Sequence, residues 1–97
     1  MKKVIGIHET GRRTRKSDNT IYDRIDLFIE TDEIPEEYTG NFKGSYVYSH
    51  YIERDQVKLT GVKTWGELVG KEIEFKCGYN FNNANNGLRI QEIYVVT

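Results

Sequence analysis

The strongest constraint on this chain is a repeated alternation of apolar and polar residues. Across residues 20–31, Ile21, Ile25, Leu27 and Ile29 fall on one face, and Tyr22, Arg24, Asp26 and Phe28 on the other. A period of two marks a half-buried β-strand, because successive side chains point to opposite faces. Residues 71–79 alternate in the same way, with Ile73, Phe75 and Cys77 inward and Glu72, Glu74 and Lys76 outward. Residues 3–10 are rich in β-branched residues and end at Gly11. Residues 44–59 read as one long, bent strand, with Tyr46, Tyr48, His50 and Ile52 on one face. Residues 88–96 close the chain. Their apolar positions change phase near Gln91 and Glu92, as at a bulge or in a strand covered on both faces.

One helical signal interrupts the strands. Thr64 is followed three residues later by Glu67, the spacing of a capping box. Trp65, Leu68 and Val69 supply an apolar side, and Gly70 is placed to stop the helix in a left-handed conformation. One or two turns are all that the spacing allows. The expected fold is mainly β, in one domain covering residues 1–97. That length excludes large scaffolds such as a TIM barrel of about 250 residues.

The order of three strands, a short helix and two strands resembles the OB-fold family over nearly the whole chain. The resemblance implies a small five-stranded OB-like Greek-key barrel with one short helix between strands 3 and 4. An SH3-like barrel or another small β-roll is the alternative architecture. Within the OB family the chain looks like the small single-stranded nucleic-acid-binding proteins of phages and mobile elements, which combine a basic loop with aromatic strands.

Charge is unevenly placed. The net charge is only −1. Residues 1–16 nevertheless hold Lys2, Lys3, Arg12, Arg13, Arg15 and Lys16 against Glu9, a net +5. Residues 17–37 hold Arg24 against Asp18, Asp23, Asp26, Glu30, Asp32, Glu33, Glu36 and Glu37, a net −7. Such asymmetry bears on partners more than the total does.

In an OB-like barrel the ligand surface is the face of strands two and three, flanked by the first and last hairpin loops. The first loop then carries Arg12, Arg13, Arg15 and Lys16, which suit phosphates because each neutralised phosphate releases counterions. Tyr22, Phe28 and Tyr48 are the candidates for base stacking, with Arg24 between them. The last loop, residues 80–87, is rich in Asn and holds Phe81 as a further stacking candidate. Asn86-Gly87 in that loop is a turn signal. The leading expectation is non-enzymatic binding of single-stranded nucleic acid. The rival is a protein-protein module, or a phage-type inhibitor, in which Glu30, Asp32, Glu33, Glu36 and Glu37 form the recognition patch. Edge strands of a partly open barrel also leave room for a homodimer.

Other chemistry finds little support. His8, His50 and Cys77 are the only soft ligands, and none are paired at a metal-site spacing. A buried, inert Cys77 is expected from its alternation with Ile73 and Phe75. Phosphate-loop and dinucleotide patterns are absent. No catalytic residue, metal or cofactor is expected. A single cysteine cannot form an intrachain disulfide, which favours a reducing, cytoplasmic setting. The apolar run after Lys3 is too short for a signal peptide, and no run approaches a membrane span.

Overall fold

Six strands form one open, mixed sheet: β1 (Lys2–Thr14), β2 (Ile21–Thr31), β3 (Tyr46–Glu53), β4 (Lys58–Thr60), β5 (Glu72–Tyr79) and β6 (Leu88–Val95). This is a computed structural model, and it describes residues 1–38, 40–79 and 88–96. The order across the sheet is β3-β2-β1-β5-β6-β4. Neighbours are antiparallel except β4 and β6, which run parallel.

The sheet differs from the five strands expected. Residues 44–59 do not make one strand. A 3-10 turn, Arg54–Gln56, divides them into β3, which pairs with β2, and β4, which pairs with β6. The bend occurs where the chain leaves one sheet edge and reaches the other. Arg54 is held there by an ion pair with Glu9 of β1. The two free edges, β3 and β4, are thus parts of one continuous segment. Hydrogen bonding does not close the sheet, but its inner side chains meet across the curl. His50 of β3 lies 6.3 Å from Phe75 of β5, ring centre to ring centre, although β2 and β1 separate those strands in the sheet.

The short helix is instead a 3-10 turn, Trp65–Leu68. The capping box does not form. Thr64 makes no side-chain cap, and the Glu67 carboxylate accepts the Lys63 backbone N–H at 3.0 Å. Gly70 follows at φ +87. Four residues before that reversal are too few to establish a ladder of i→i−4 bonds. Trp65 and Leu68 are still buried, as their apolar character required.

β1 continues past Gly11 to Thr14. Between Glu9, opposite Ile25, and Gly11, opposite Arg24, one extra residue, Thr10, is accommodated as a bulge. Gly11 takes φ +80 there, a conformation that costs glycine little. The Thr10 hydroxyl donates to the Arg24 carbonyl at 2.9 Å. Glycine therefore bends this strand where the sequence suggested that it ended. The phase change near Gln91 is also a bulge, since Lys76 faces Glu92 while Cys77 faces Ile90.

The core lies on one face of the sheet. Val4, Ile25, Leu27, Ile29, Ile52, Ile73 and Ile93 are buried there with Trp65 and Leu68. Each such side chain contributes about 1.5–3 kcal/mol on burial. Ile21 shares their parity but is exposed, because it sits at the first position of β2, beyond the reach of the core. Cys77 is exposed too, not buried as expected. It lies toward the β5 end remote from the buried Ile73.

Candidate nucleic-acid interface

Register decides which candidates share a surface, because directly opposed residues project to the same face. On the core face Ile29 stands opposite Tyr48, Leu27 opposite His50 and Ile25 opposite Ile52. On the other face Phe28 stands opposite Ser49, Asp26 opposite Tyr51 and Arg24 opposite Glu53. Tyr22 and Phe28 therefore lie on the outer face. Tyr48 lies on the inner one and cannot extend their platform. It is half-buried, and burial pushes its hydroxyl above the ordinary pKa. Its ring stacks on Tyr46 at 5.9 Å. The aromatic residue that does join the outer face is Tyr51, which is 56% exposed.

The β1–β2 hairpin supplies the charge. Its turn is closed by the Arg15 N–H to the Thr20 carbonyl at 2.7 Å and the Asn19 N–H to the Arg15 carbonyl at 2.8 Å. Asn19 takes φ +59, which this residue type tolerates. Asp18 accepts the Thr20 N–H at 3.0 Å. Hydrogen bonds from Thr20, its side chain first, hold the Asp18 carboxyl below the usual carboxylate range. Arg13 stands opposite Tyr22 and Arg12 opposite Asp23 at the end of β1.

The cations fall into two groups. Arg12, Arg13 and Lys16 are exposed and have no ion-pair partner among the described residues. Arg15 and Arg24 are engaged. Arg15 pairs with Glu53 and with Asp18, and lies over the Tyr22 ring at 5.2 Å. Arg24 donates to Asp26 at 2.9 Å and lies over the Tyr51 ring at 4.5 Å. Each of these arginines thus fixes an aromatic ring from one side. Phe28 is 39% exposed, beside Gly6 on β1, whose missing side chain leaves its ring uncovered.

Next to this face, at the hairpin end of the sheet, opens a cleft of about 640 Å³. Ile52, Val57 and Ile90 supply its apolar part, and Arg15, Lys16, Tyr22 and Arg89 its charged and aromatic part. Glu53, nearly enclosed, sits between Arg15 and Arg89, the latter at 3.8 Å. Arg89 also donates to Gln56 at 3.3 Å. His50 and Cys77 line the same cleft. Among the described residues, no three His, Cys, Asp or Glu side chains gather as a metal site. Phe81 and the Asn-rich loop lie outside the described residues.

The acidic candidates gather at the opposite end of β2. Glu30 is half-buried in the strand, opposite Lys3 and Val47. Asp32, Glu33, Glu36 and Glu37 are exposed, the last two in the 3-10 turn Glu36–Tyr38. The eleven residues of β2 place about 35 Å between the basic and the acidic ends.

Tyr51, Glu53 and Arg89 are the members of this surface that sequence reading missed. Ile52 fixes the facing of β3. Its burial marks the inward parity and sends Tyr51 and Glu53 outward, whereas Val47, the other aliphatic residue of β3, has the opposite parity and is exposed. Compared with protein-family models, with curated proteins and with solved structures, the chain matches none of them. Among the described residues no helix is long and apolar enough to cross a membrane.

Proposed function

We propose that this chain is a non-enzymatic binder of single-stranded nucleic acid, built on an OB-like barrel. The observation that carries the reading is one outer face holding Tyr22, Tyr51 and Phe28, with the unpaired Arg13 opposite Tyr22 and the exposed, unpaired Arg12 and Lys16 on the same β1–β2 hairpin. Single strands are gripped by this combination in general: cations follow the backbone and aromatic faces stack bases, each worth about 1–3 kcal/mol. Tyr22 and Tyr51, each held by an arginine on one side, offer prepositioned rings. Phe28 offers a third.

The barrel reading rests on the sheet order. When residues 46–60 are counted as one bent strand, the order becomes three, two, one, four, five, three, with the two ends of the third strand at the two edges. Strand four then lies beside strand one, which is the Greek-key arrangement. The contacts of His50 with Phe75 and of Glu53 with Arg89 support a curl that brings the third strand toward the fourth and fifth. Trp65 and Leu68 enter the core from the connection before the fourth strand.

An anisotropy titration with a fluorescent single-stranded oligonucleotide tests the reading. Saturable binding at low salt is expected, weaker for a duplex of the same sequence. Absence of binding at low salt overturns it.

A further inference from the structure

The acidic end of β2 carries an aromatic surface that the nucleic-acid reading does not use. The rings of Tyr38, Phe42 and Tyr46 lie within 5.9–6.2 Å of one another, centre to centre. Tyr46 stacks on Tyr48. Tyr38 is 45% and Phe42 37% exposed. Beside them is a shallow hollow of about 440 Å³, lined by Thr31, Glu33, Ile34, Pro35, Tyr46 and Tyr48. Glu33 and Glu37 are exposed and have no ion-pair partner among the described residues. Ring faces carry negative electrostatic potential, and carboxylates accept strong hydrogen bonds from guanidinium groups. The chemistry of this hollow therefore favours a cationic side chain.

The molecule supplies such side chains itself, at its other end. Arg12, Arg13 and Lys16 are exposed without ion-pair partners among the described residues. Within one chain the two ends cannot meet, since β2 holds them about 35 Å apart. Complementary charges so placed can pair with each other only between molecules. We infer that copies of this chain associate head to tail, the basic β1–β2 hairpin of one copy entering the aromatic, acidic hollow of the next. The contact joins two different patches, so it is heterologous and propagates into short linear chains unless the rotation closes a ring. It does not depend on nucleic-acid binding.

Sedimentation velocity over a range of protein concentrations, without nucleic acid, tests this. The wild type should show a sedimentation coefficient that rises with concentration at low salt and not at high salt, where exposed charges are screened. The double variants Arg12→Glu/Arg13→Glu and Glu33→Lys/Glu37→Lys should each lose that rise. An equimolar mixture of the two should regain it, because each variant then meets the opposite charge. Phe42→Ala, which leaves every charge in place, should weaken association about five-fold. A wild type that stays monomeric at low salt overturns the inference. So do charge variants that associate as before, or a mixture that remains monomeric. Oligonucleotide binding by Glu33→Lys/Glu37→Lys, measured separately, should be retained, which keeps the two readings independent.

Discussion

Tyr48 and Tyr51 sit three residues apart on β3 and have opposite duties. Tyr48 faces the core and stacks on Tyr46, whereas Tyr51 faces outward under Arg24. Tyr51→Ala should therefore weaken oligonucleotide binding by about 1–3 kcal/mol. It should change stability by no more than about 0.5 kcal/mol. Tyr48→Ala should do the reverse, lowering the urea midpoint with little effect on affinity. Equal losses of affinity in both variants would contradict the assignment of faces. At Gly61, φ is +97 and an added Cβ would come 2.9 Å from the Val95 Cβ. Gly61→Ala should cost about 1–3 kcal/mol in backbone strain alone, read from the same denaturation curves. Residue parity was legible on β2, where four aliphatic residues mark the inner face. It was not legible on β3, where aromatic residues fit either face and the two aliphatic residues, Val47 and Ile52, have opposite parity.

At the scale of elements, strand existence was written more clearly than strand ends. Alternation marked β2 and β5 most clearly, because one face of each meets the core, whereas β4 was read as one long strand with β3. Gly11 read as a stop although it serves as a bulge, since a glycine at positive φ can end a strand or bend one. The division of β3 from β4 was hidden because the turn Arg54–Gln56 contains neither Gly nor Pro. The capping-box pattern at Thr64 promised a helix that had no length to grow. The β1–β2 hairpin yields a pH prediction. Its Asp18 has a lowered folded pKa, owing to hydrogen bonds from Thr20. Its contribution is thus fully present above the unfolded value of about 3.9 and is lost as pH falls through the folded value. The Thr20 amide resonance, followed by NMR through an acid titration, should move with a midpoint below that of a free aspartate. A midpoint at or above the free value would show that the turn is not held by Asp18.

Across the whole molecule, the near-zero net charge conceals two separated poles joined by β2. The sequence blocks of +5 and −7 anticipated those poles. What they could not show is which charges are spent internally. Arg15 and Arg24 are held by Glu53 and Asp26, whereas Arg12, Arg13 and Lys16 have no ion-pair partner among the described residues and are the cations assigned to phosphate in the proposed function. The most direct test is the salt dependence of binding to a single-stranded oligonucleotide, for the wild type and for Arg12→Glu/Arg13→Glu/Lys16→Glu. With three free cations, log K should fall against log salt with a slope of about −2 for the wild type. The triple variant, whose fold should be unchanged, should lose both the affinity and the slope. A wild-type affinity that is independent of salt, or a triple variant that binds as the wild type does, would contradict the account.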